Sequence, residues 1–82
     1  MMIDARDACK LAVGESGWRV SNLRDAGDAW IVDVCGPNGE VLDISGPPLV
    51  DKATGKVSTL FPPRDGWRLE VAVECEVPEE YK

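Results

Sequence analysis

Between Trp67 and Val77 the chain alternates: Trp67, Leu69, Val71, Val73, Cys75 and Val77 are apolar, and Arg68, Glu70, Ala72, Glu74 and Glu76 stand between them. Successive side chains of a strand point to opposite faces, so this period of two predicts a half-buried strand over residues 67–77. The same pattern predicts a strand over Trp18–Leu23, with Trp18 and Val20 on one face and Arg19 and Ser21 on the other. It predicts another over Ala29–Cys35, where Trp30, Val32 and Val34 oppose Ile31, Asp33 and Cys35. Nearer the N-terminus the period changes. Ala5, Ala8, Cys9 and Ala12 fall at i, i+3, i+4 and i+7, the stripe of a helix running from Asp4 to Val13. Asp4 is placed to cap its first turn and Gly14 to end it in a left-handed conformation. A stripe of such small side chains lets the helix lie close on a sheet.

Glycine and proline mark the breaks. Arg24–Asp28 reads as a loop and Gly36-Pro37-Asn38-Gly39 as a turn, after which Glu40–Ile44 returns as a strand. Gly46, Pro47 and Pro48 interrupt it, because proline donates no ladder hydrogen bond, and pairing resumes at Leu49–Val50. Asp51–Lys56 reads as a hairpin turn with Gly55 at its left-handed position and Val57–Leu60 as the returning arm. Phe61–Gly66 is a second proline-rich loop, and Pro78–Lys82 a frayed tail. The expected order is α-β-β-β-β-β. This is a two-layer α+β fold, one N-terminal helix packed on a mostly antiparallel sheet of four to five strands, in a single domain over residues 1–82. The charged alternate of the last strand is a face left to solvent or to a partner, and symmetric pairing at a sheet edge would make a homodimer.

Composition narrows the chemistry. Nine Lys and Arg against fifteen Asp and Glu give a net charge of -6, spread over both halves of the chain. Nucleic-acid binding needs clustered cations and none are grouped in the sequence; an anionic bilayer would repel the domain. Histidine is absent, which removes the usual general base near neutral pH and the commonest transition-metal ligand. Residues 1–7 carry neither a basic n-region nor an apolar h-region and no apolar run approaches a membrane span, so the expected location is the cytoplasm; the three cysteines, widely spaced and in no CxxC pair, read as reduced, buried small residues. The reading is a protein that is not an enzyme, with no catalytic residue, no cofactor and no metal, whose partner is another protein.

The stretch from Gly46 to Leu60, GPPLVDKATGKVSTL, with its D-x-x-T-G-x-V core, resembles a segment of the YrhB-type bacterial immunity proteins, also called immunity protein 35. The N-terminal helix followed by a tryptophan-bearing strand, Ala29-Trp30-Ile31-Val32, is similar to that family's order of elements. The resemblance implies a non-catalytic protein that binds and neutralises a cognate toxin, often one of papain-like fold. The alternative from a different class is a general protein-binding or protease-regulating module of PepSY or cystatin-like type.

Candidate contact residues follow from the residues themselves. Proline lowers the entropy lost on binding, which singles out Gly46, Pro47 and Pro48 in one loop and Pro62, Pro63, Arg64 and Asp65 in the other. Glu70, Glu74 and Glu76 form the expected acidic face, suited to a basic surface.

Overall fold

The computed structural model describes residues 2–82. Helix α1 (Ala5–Val13) is capped by Asp4, whose carboxylate accepts the Asp7 N–H at 2.8 Å, and closes at Gly14 with φ 53. Strands β1 (Arg19–Asp25), β2 (Ala29–Cys35), β3 (Pro48–Asp51) and β4 (Val57–Thr59) follow; then come helix α2 (Pro62–Val71), strand β5 (Val73–Cys75) and a single 3-10 turn, Glu79–Tyr81. The sheet order is β4-β3-β2-β1-β5 and all its pairings are antiparallel. The expected helix on an antiparallel sheet is therefore present, with a second helix added.

α1 covers one face. Ala8, Cys9, Ala12 and Val13 pack against Val20, Leu23, Val32 and Val50, and Trp18 and Trp30 close the rim half-buried. The Trp30 indole N–H donates to the Ile3 carbonyl at 2.8 Å and carries Lys52 over its ring at 4.5 Å. Val20 and Leu23 are three residues apart, so a regular strand would point them to opposite faces. The register shift between Val20 and Asn22 turns both inward. Each fully buried aliphatic side chain of this layer contributes roughly 1.5–3 kcal/mol. The other face is smaller: Ala29, Ile31 and Leu49 with Ala26 and Leu60, against which Ala72 packs.

The long strand expected over Trp67–Val77 is not formed. The β1 register sets the limit: Leu23 faces Cys75, Arg24 faces Glu74 and Asp25 faces Val73. β1 then turns through Ala26–Asp28 into β2, so residues before Ala72 would run past the end of the sheet with no strand to pair. A helix satisfies their backbone groups internally. Pro62 and Pro63 occupy the first helical positions, where proline's missing N–H costs nothing, so the expected loop Phe61–Gly66 is this helix's start.

One other expectation changes. Glu40–Ile44 is not a strand: the turn before it closes on itself, with Gly36 N–H donating to the Glu40 carbonyl at 2.8 Å and Asn38 N–H to the Glu40 carboxylate at 3.3 Å. Pro47 and Pro48 beyond it lack the N–H groups to carry a ladder back along β2. At the C-terminus Tyr81 packs against the α1 layer and Glu80 pairs with Arg6 at 2.5 Å. The hairpin at Asp51–Lys56 is as expected, with Gly55 at φ 76.

Candidate functional site

α2 lies over the second sheet face, and its burial is inverted. Asp65 is the buried residue of this helix, at 0% exposure. Its Oδ2 accepts the Phe61 N–H at 2.8 Å, closing the helix start that no N-cap side chain serves. The same oxygen accepts from Arg64 Nε at 3.0 Å and Nη2 at 2.8 Å, while Oδ1 accepts from Arg68 Nη1. Arg68 then reaches across to the β1–β2 turn and holds Asp28 in a forked pair, Nε to Oδ1 at 3.2 Å and Nη2 to Oδ2 at 2.9 Å. Arg64 also donates to the Thr59 carbonyl at 3.2 Å, tying the helix to the end of β4.

Two cations and two anions balance in this network. The Arg64 hydrogen bonds, followed by the Phe61 N–H, hold the Asp65 carboxyl down to about 2 against the opposing effect of burial. Hydrogen bonding to Asp28 raises Arg68, and hydrogen bonding to Asp65 raises Arg64. A cleft of about 250 Å³ remains between helix and sheet, lined by Ala29, Leu49 and Ser58 below and by Arg64, Asp65 and Arg68 above. A carboxylate with so low a pKa is a poor base, and guanidinium cannot be deprotonated, so the network anchors α2 without offering proton transfer at neutral pH.

The apolar side chains of the segment face outward. Trp67 is 49% exposed, Val71 54% and Val73 65%, with Phe61 and Leu69 also exposed. The sequence explains why. Helical positions advance about 100° per residue, so Trp67 and Val71 share a face while Leu69 lies about 200° from Trp67. A period of two cannot be buried on one side of a helix. What faces the sheet is Asp65, Arg68 and Ala72, and the Arg68 guanidinium lies over the Trp67 ring at 4.5 Å.

The sequence-derived contact residues are redistributed. Pro62, Pro63, Arg64 and Asp65 form the first turn of α2, and Asp65 is withdrawn from the surface entirely. Gly46, Pro47 and Pro48 are half-buried framework: a Cβ on Gly46 would come 2.8 Å from the Leu60 carbonyl, the Pro47 carbonyl accepts the Leu60 N–H at 2.9 Å, and Pro48 pairs with Thr59. Glu70, Glu74 and Glu76 do not share a strand face; Glu70 is on α2, Glu74 on β5, and Glu76 lines a shallow groove of about 390 Å³ beside the start of α1. All three remain exposed.

The D-x-x-T-G core of the hairpin has a local explanation. Asp51 Oδ1 accepts the N–H groups of Ala53 at 2.8 Å and Thr54 at 3.1 Å, which lowers its pKa, and the Thr54 hydroxyl accepts the Lys56 N–H at 3.2 Å. These residues close the turn. Burial, reinforced by the charge of Glu80, pushes the Cys9 thiol up to about 11. Cys35 and Cys75 are also free thiols, half-buried. Among the described residues no group of three or more His, Cys, Asp or Glu side chains is arranged to hold a metal ion, and no helix is long and apolar enough to cross a membrane.

No protein-family model matches the chain, and neither a curated protein nor a solved structure is found to be similar to it.

Proposed function

We propose that this domain is a non-catalytic protein-binding module that neutralises its partner by covering it, in the manner of the immunity proteins its hairpin segment resembles, a toxin being the partner that the resemblance implies. The observation that carries the binding reading is the inversion of α2, which turns a charged network toward the sheet and Trp67 and Val71 toward solvent. Exposed large apolar side chains gathered on one element suit a protein interface, where tryptophan is a common anchor and a carboxylate rim selects a basic partner. Glu70 and Glu74 supply that rim.

The test is capture of a partner from extract of the source cells by tagged protein, in competition with untagged protein, beside a Trp67→Ala, Val71→Ser double variant. The expected result is one stoichiometric partner, displaced by untagged protein and lost with the double variant while its circular dichroism spectrum is unchanged. If that partner is a toxin, its activity falls when the wild-type domain is added. Retention of the same partner by the double variant refutes the α2 surface, and finding no specific partner refutes the reading.

A further inference from the structure

The two edges of the sheet differ in charge. β4 is preceded by Lys56, and Arg64, whose charge Asp65 balances, binds the Thr59 carbonyl. β5 carries Glu74, is followed by Glu76 and is approached by Glu70 at the end of α2. Among the described residues none of these three carboxylates is in an ion pair. β5 pairs with β1 on its inner side only, and its first residue, Val73, is 65% exposed. An edge of this kind presents unpaired N–H and C=O groups, the template on which an extended segment adds as another strand.

The carboxylates decide what can add. Two copies of β5 paired antiparallel about a twofold axis would set Glu74 opposite Glu74 if centred there, or Glu74 opposite Glu76 if centred on Cys75. Like charges directly opposite destabilise a pair of strands, whereas opposite charges stabilise it. The edge thus disfavours its own copy and favours a cationic strand, and the basic flank of β4 disfavours the same ligand there.

We infer that the outer edge of β5 receives an extended segment of the partner protein bearing Lys or Arg at alternate positions, which completes the sheet as a sixth strand with its cations on Glu74 and its neighbours. This rests on the protein-binding reading and names the chemistry of the partner. α2 then supplies the apolar side of a contact whose backbone side is β5.

The test uses the full isotope-labelled chain and a short acetylated peptide of alternating valine and lysine. Two controls accompany it: the same peptide N-methylated at alternate amides, and a valine–glutamate peptide. Amide exchange is followed at residues 73–75. The expected result is exchange slowed about tenfold or more at β5 by the lysine peptide, little binding of either control, and affinity about tenfold weaker for Glu74→Lys. Binding that survives N-methylation, or that leaves the β5 amides unprotected, overturns strand addition in favour of charge alone. Equal binding of the glutamate peptide overturns it too. So does sedimentation of the free chain as a dimer with β5 protected, which would give the edge to a second copy. None of these outcomes touches the proposed function, which stands or falls on partner capture by the wild-type domain and its loss in the Trp67→Ala, Val71→Ser variant.

Discussion

Replacing Gly66 by alanine tests whether residues 62–71 are the helix described or the strand and loop their pattern suggests. Gly66 is interior to α2, and a Cβ added there meets nothing within 4 Å. Glycine in a helix interior costs about 0.8–1 kcal/mol relative to alanine, through backbone freedom lost on folding. Gly66→Ala should therefore stabilise the domain by about 1 kcal/mol, and at 82 residues that raises Tm by roughly 4–8 °C. Valine separates the alternatives. In a helix it recovers only part of the gain, being about 0.5 kcal/mol poorer than alanine, whereas in a strand valine ranks above alanine by up to about 1 kcal/mol. Urea unfolding followed by tryptophan fluorescence, with thermal circular dichroism, gives the ranking directly. Gly55→Ala is the control of opposite sign: its φ of 76 predicts a loss of about 1–2 kcal/mol. Valine above alanine at Gly66, or alanine below glycine, would refute the helix.

Leu23→Ala removes a fully buried side chain from the layer beneath α1 and should cost about 2–5 kcal/mol in the same assay, a large share of the stability of so small a domain. A cost below about 1 kcal/mol would mean that layer is loosely packed. The Asp65 carboxyl is held at about 2, below its ordinary 3.8, so its contribution is complete above about pH 4 and is lost as pH falls toward about 2. Wild type should lose more stability over that window than Asp65→Asn, in which only the losses from the other lowered carboxylates, Asp25 and Asp51, remain; parallel acid curves would show that the Arg64–Asp65 pairing does not anchor the helix. The Cys9 thiol titrates the other way, since the unfolded chain ionises it near 9.0 while the fold keeps it protonated to about 11. About 2–3 kcal/mol should disappear as pH rises between those values, and Cys9→Ala should reduce that slope to the part left by Tyr81, whose phenol is also raised by burial; an equal slope in both proteins would place the cause elsewhere.

Local chemistry made the first half of the fold legible. Asp4 and Gly14 bound α1 as their types suggest, the Ala29–Cys35 alternation is β2 residue for residue, and Gly55 takes the left-handed position in its turn. Each of those features is decided by neighbours in sequence. The second half failed where a distant element decides. The Trp67–Val77 alternation reads as a strand until β1 is seen to end at Asp25, and that hairpin length is a property of residues forty positions away. The candidate surface was legible as composition and not as arrangement: Trp67, Glu70 and Glu74 could be singled out, but the inversion of α2 depends on Arg68 meeting Asp28 across the fold. Asp65 was misplaced because a carboxylate in a proline-rich stretch reads as solvated surface, and only its Arg64 and Arg68 partners permit full burial. A carboxylate followed three residues later by arginine was the one available signal of a helical pairing.

The segment between β2 and β3 bears on how this chain can be handled. From Gly36 to Pro47 it contributes no strand, and Val41 stands 95% exposed upon it. Insertions concentrate where backbone is exposed and carries few partners, and lengthening such a loop adds little entropic cost. The chain can therefore be opened there to carry a fluorophore or an affinity tag outside the strand ladder. Val41 belongs to neither α2 nor β5, so a reporter seated there occupies neither element, whereas Ile3 and Tyr81 near the two chain ends are both packed against the α1 layer.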